Sequence, residues 1–159
     1  MTTIIDGSAG ITFPNSTTQA SAGVVLQVVN SVSNTQTSTT STSPVTSGFS
    51  VSITPKFATS KILVILNCSI GQAVNNTYSN FQLWRGGSSI FSFSPVSCYI
   101  NSGTSVTQVN MTISETYLDS PATTSSISYT PYFSTSSGGT AYIGINNNYS
   151  SITLMEIAQ

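Results

Sequence analysis

Histidine is missing from this chain altogether, and only seven of its 159 side chains carry a formal charge. Without imidazole, Ser-His-Asp and Cys-His nucleophilic arrangements and imidazole metal sites are excluded. The charged residues are Asp6, Lys56, Lys61, Arg85, Glu115, Asp119 and Glu156, for a net charge of -1. Three scattered cations cannot line a phosphate-tracking groove, so nucleic acid is not an expected partner. Cysteine is also scarce: Cys68 and Cys98 are too few and too far apart for a zinc ribbon. Buried free thiols are favoured for them over a disulfide. No apolar stretch outruns residues 62–66, far short of a bilayer span, so no membrane insertion is expected. The opening MTTIIDGSAG has neither the cationic region nor the apolar core of a signal peptide.

Acids are too sparse for glycoside chemistry. Only Glu115 and Asp119 lie close in sequence, and four residues along a strand separates them by about 13 Å. Paired glycosidase carboxylates sit about 5–9.5 Å apart. Asp119, within Asp119-Ser120-Pro121, reads as a turn cap. Gly86-Gly87 and Gly138-Gly139 read as turns, since neither leads into a helix or carries a phosphate-binding lysine. The expectation is therefore a non-enzymatic protein with no metal and no cofactor.

Hydroxyls stand where charge would be. Ser and Thr fill about a third of the positions, while 38% of residues are hydrophobic and mean hydropathy is +0.17. Such a surface bonds water and neighbours without like-charge repulsion, which suits many copies packed side by side.

The pattern is that of strands. In residues 49–53, Phe49, Val51 and Ile53 alternate with Ser50 and Ser52, and Pro55 ends the run. Residues 62–70 form a second strand with Ile62, Val64, Leu66, Cys68 and Ile70 on one side. Leu63 and Ile65 make its other side apolar too. Leaving two such side chains in water forgoes about 3–6 kcal/mol, so something should cover that face. A second copy is the favoured cover, because no helical layer is available from this chain.

Further strands are expected over residues 24–29, 81–85, 90–93, 106–118, 127–133, 141–145 and 151–158. Residues 34–47 read as a loop or an exposed edge strand. Loops are expected over 71–80 and 95–105, and a hairpin turn over 136–139. In the last strand Ile152 and Leu154 oppose Thr153, Met155 and Ile157, and this strand is expected inside a sheet. With no convincing helix, the fold class is all-β: an antiparallel β-sandwich of the jelly-roll kind. Residues 24–159 make up this domain. Residues 1–23 lack sustained periodicity and read as an extended arm that orders only against something else.

Several segments carry a resemblance. GITFPNSTTQ (10–19), ITPKFATSKILVIL (53–66), LWRGG (83–87), LDSPATTSSISYT (118–130) and SITLMEIA (151–158) resemble stretches of tailed-phage fibre and virion-surface proteins. The resemblance implies a homotrimeric, tumour-necrosis-factor-like jelly roll on the exterior of a phage particle, attached to other virion proteins. Because GITFPNSTTQ lies at the start with no long shaft before it, a short fibre, spike or capsid decoration is the expectation. Leu63, Ile65, Met155 and Ile157 are then the candidate oligomer interface, and Ile4, Ile5, Ile11, Phe13 and Pro14 the candidate anchoring residues. The alternative is a receptor-binding tip for a host surface glycan. Aromatic faces beside amides suit sugars, which makes Tyr78, Tyr99, Tyr142 and Tyr149 candidate contacts. Trp84 reads as a core or interface residue.

Overall fold

Apolar side chains alternating with Ser and Thr produce strands with one greasy face each, and such strands pair until those faces are covered. In the computed structural model of the protein they do so as two antiparallel sheets laid face to face. The structure describes residues 4–6, 10–12, 18–19, 24–103 and 108–159, with side chains from residue 24 onward apart from 94–96.

Three short strands, β1 (Ile4–Asp6), β2 (Gly10–Thr12) and β3 (Thr18–Gln19), form a small antiparallel meander of their own. The region read as lacking regular structure thus carries strands, and Ile5 sits opposite Ile11 in their register. The first large sheet holds β4 (Val25–Ser33) with β5 (Thr37–Thr39), β8 (Lys61–Ala73), β11 (Gln108–Asp119), and β13 (Thr140–Ile143) with β14 (Ser150–Ile157). The second holds β6 (Val45–Thr46) with β7 (Val51–Ile53), β9 (Thr77–Arg85), β10 (Ser88–Ile100) and β12 (Ile127–Thr135).

Interrupted strands run in line. β13 and β14 lie along one edge of β8, parted by a 3-10 turn at Ile145–Asn147, and β5 and β4 follow them outside. Counted so, eight lines remain. Their order is 1-8-3-6 in the first sheet and 2-7-4-5 in the second, which is a jelly roll. β14 lies between β4 and β8, inside its sheet as expected.

The core fills the gap between the sheets. Ile62, Val64, Leu66, Cys68 and Ile70 of β8 and Ile152 and Leu154 of β14 face Phe81 and Leu83 of β9 and Tyr129 and Phe133 of β12. Phe81 and Phe133 stack with ring centres 6.0 Å apart. Both cysteines are free and buried, and burial pushes the Cys68 thiol up to about 12. Where the core opens beside the turn after β8, a polar plug closes it. There Gln72, fully buried, donates to the Thr77 hydroxyl at 2.6 Å and the Thr135 hydroxyl at 3.0 Å.

Three loop expectations are corrected. Residues 71–80 are mostly strand, since β8 runs to Ala73 and β9 starts at Thr77. The reversal is compressed into residues 74–76, with Val74 and Asn76 at φ 81° and 59°. Residues 95–100 continue β10, whose register against β9 shifts between Ser94 and Cys98. β10 is an edge strand, and a bulged edge admits Pro95. Pro131 sits instead in the central β12, between the stretches paired with β7 and β6. Residues 136–139 do not close a hairpin: they carry the chain from one sheet to the other. The 34–47 tract supplies β5 and β6, each at the edge of a sheet.

Candidate assembly interface

Because side chains alternate, the residues of β8 that do not enter the core face outward from the first sheet. Leu63 of β8 is directly opposite Met155 of β14 on one side and Leu118 of β11 on the other, and Met155 is opposite Val28 of β4. Directly paired residues share a face. Val28, Met155, Leu63 and Leu118 therefore form one apolar row across four strands. Val28 is 53% exposed and Leu118 48%. Ile157 pairs with Val25, itself exposed, and with Lys61, adding a second short row. Ile65 lies on the other side of the main row, opposite Thr153 and Thr116.

The apolar patch has a boundary. One step further along, Asn67 faces Ser151 and Ser114, and the Ser114 hydroxyl donates to the Asn67 side-chain oxygen at 2.6 Å. Asn30 likewise donates to the Thr153 hydroxyl at 2.8 Å. Apolar side chains gather toward one end of the face, while Val32, 59% exposed, stands apart beside Ser151 in the polar row. All four residues expected at an interface, Leu63, Ile65, Met155 and Ile157, share this face. Val25, Val28 and Leu118 were missed. The signal for Leu118 was present, since it follows Tyr117 and makes the end of its strand apolar on both sides.

That end of the sandwich is also where residues 1–23 join it. The Ala158 N–H donates to the Val24 carbonyl at 3.0 Å, so the root of the arm and the C-terminal residues lie together. Phe57, 55% exposed, stands on the loop between β7 and β8 at the same end. Glu156 fixes that loop. Its carboxylate, wholly buried, accepts the Lys56 and Phe57 backbone N–H groups at 2.7 and 3.3 Å and the Gln27 amide at 2.6 Å. Burial alone would raise its pKa, but these donors outweigh it and hold the carboxyl below its ordinary value.

Asp119 corrects its sequence reading. It does not cap a turn; strand alternation turns it inward at the end of β11, opposite Ile62. There it takes a 2.7 Å ion pair from Arg85 and a 2.6 Å bond from the Tyr129 hydroxyl. The bond to Asp119 raises the Arg85 pKa, and burial followed by the Asp119 bond raises that of Tyr129. Glu156 and Asp119 flank Ile62 from its two neighbouring strands, about 10 Å apart by backbone spacing. Both carboxylates are engaged in closing the sandwich.

The tyrosines divide. Tyr78 and Tyr99 are direct cross-strand partners on the outer face of the second sheet, and the Tyr99 hydroxyl donates to Asn76 at 3.1 Å. Tyr142 belongs to the first sheet, opposite Gly71 and Ser38, and Tyr149 stands exposed in the loop before β14. One sugar could not touch all four. Of the expected anchoring residues, Ile4 and Ile5 fall in β1 and Ile11 in β2, while Phe13 and Pro14 lie outside the described residues.

No protein-family model matches the chain, and no curated protein matches it in sequence. Among solved structures it is similar to the VP2 subviral particle of infectious bursal disease virus, at 11% identity and a TM-score of 0.46. That likeness covers 82% of this chain and 39% of the other. It is similar also to the Gx strain structure of that virus, at 12% identity and a TM-score of 0.44 over 85% of this chain and 38% of the other. A point mutant of VP2 in T=1 particles gives 13% and 0.42 over 84% and 36%. The chain spans less than two fifths of the length of these viral proteins. These likenesses are of backbone layout.

Proposed function

We propose that the chain is a non-enzymatic structural protein of a virion: a homotrimeric appendage on the exterior of a phage particle, held there by residues 1–23. The apolar row across four strands carries the reading. Val28, Met155, Leu63 and Leu118 lie side by side where the first sheet meets no further layer among the described residues. Covering such a row against a neighbour is worth about 25 cal/mol per Å² of apolar area removed from water. A surface with almost no charge adds little repulsion between copies. The resemblance of five segments to virion-surface proteins of tailed phages supplies the setting and the number three.

Sedimentation of the purified chain tests this. A trimer is expected to persist to nanomolar concentration, and Leu63→Glu is expected to give folded monomers with an unchanged β-sheet circular dichroism signal. A wild-type chain that sediments as a folded monomer at nanomolar concentration would refute the assembly.

A further inference from the structure

The second sheet turns a different surface outward. Tyr129, Pro131 and Phe133 of β12 and Phe81 and Leu83 of β9 point into the sandwich, which leaves Thr130, Tyr132, Gln82 and Trp84 on the outside. Across these strands Tyr132 is paired with Gln82, and Thr130 with Trp84. On the flanks, Thr46 faces Tyr132 and Ser92 faces Gln82. No ionic side chain falls among these positions.

The aromatic pair is built, not incidental. Trp84 and Tyr132 stack with ring centres 4.1 Å apart and planes 13° from parallel. The indole N–H donates to the Gln82 side-chain oxygen at 2.8 Å. Both rings are thus held in one orientation, so little rotamer freedom is left to lose on binding. Both rings are half-buried on this face, and the part left exposed carries the negative quadrupole on which the weakly positive C–H edges of a pyranose pack. Hydroxyls of Thr46, Thr130 and Ser92 and the remaining NH2 group of Gln82 supply donors and acceptors around them. Six residues along β9, about 20 Å by strand rise, the Tyr78–Tyr99 pair continues the same face.

We infer that the outer face of the second sheet, centred on Trp84, Tyr132 and Gln82, is a binding platform for a neutral glycan. Rigid aromatic faces ringed by uncharged hydroxyl and amide groups match a sugar polymer in which apolar C–H patches alternate with hydroxyls. They give an anionic glycan no cation to pair with. A face that continues along β9 from Trp84 to Tyr78 suits an extended chain rather than a single ring. The site lies on the sheet opposite the assembly row, so it stands or falls separately from the trimer.

Trp84 is the chain's single tryptophan, so intrinsic fluorescence reports on the platform directly. The purified full chain is titrated with a neutral dextran, β-glucan, galactan and mannan, with alginate as the anionic comparison, and is also applied to a glycan array. At least one neutral polymer is expected to shift the emission saturably, with alginate inert. Tyr132→Ala and Gln82→Ala are each expected to weaken that binding tenfold or more at unchanged melting temperature. Trp84→Ala is expected to abolish capture on the array. Three outcomes overturn the inference: no response to any neutral glycan, equal binding by the Tyr132→Ala and Trp84→Ala chains, or loss of binding only on removing Tyr142 or Tyr149. Shielding of Trp84 from acrylamide when copies assemble overturns it too, by making this face a contact between copies.

Discussion

Glu156 shows how one ionic side chain acquires a structural task in a chain with so few. It joins β14, the start of β4 and the loop carrying Phe57 through a single carboxylate. Its folded pKa lies below the ordinary value, so its contribution is present above the unfolded carboxyl's pKa and is lost as pH falls through the folded one. Wild-type protein is therefore expected to lose stability below about pH 4.5, the ordinary value for this group. Glu156→Gln keeps one acceptor oxygen and leaves buried donors short of partners. It is expected to cost about 1–3 kcal/mol at neutral pH and to flatten the acid side of the profile. Urea melts of both proteins from pH 3 to pH 7 measure the difference. An equal acid slope in the two would assign the lability to another carboxyl.

Among the elements, β14 is the one the sandwich cannot spare. It joins β4 to β8, and Ile152 and Leu154 on its inner face are fully buried. Burying each is worth roughly 1.5–3 kcal/mol, and the ladders on both sides are lost with them, against a typical domain stability of about 5–15. A chain ending at residue 150 is expected to be insoluble or to lack a cooperative thermal transition; a sharp melt would contradict the topology.

Much of this was legible from residues. Period-two alternation placed β7, β8 and β14 and their inner faces, and the double-sided character of residues 62–66 pointed to the outward row. What failed were the places where polar residues form ladders. Gly71, Gln72, Thr77 and Ser79 look like loop chemistry in sequence, yet all four are buried strand residues, and the Gln72 and Thr77 side chains bond each other in the polar plug. Pairing between distant strands also hid the partners of Asp119 and Glu156, since no local spacing links Asp119 to Arg85 or Glu156 to Gln27. The stacked Trp84 and Tyr132 escaped for the same reason: 48 positions separate them, and only the register of β9 against β12 brings them together.

At the scale of the whole molecule, arm and body are expected to divide the work. Among the described residues, the meander of β1 to β3 pairs with no strand of the sandwich. Removing residues 1–23 is expected to leave the melting temperature of the body within a few degrees of wild type and its assembly intact, while incorporation into particles is lost. Calorimetry and copy counting on purified particles check the two halves of this statement. Arm-less protein that incorporates at wild-type copy number would remove the attachment role from these residues.

The bond from Ala158 to Val24 has a practical side for anyone wishing to use the protein as a display scaffold. Purification tags or fused cargo joined after Gln159 would crowd the greasy end. The far tip is the better insertion point. There Ser137 and Gly138 are exposed between β12 and β13.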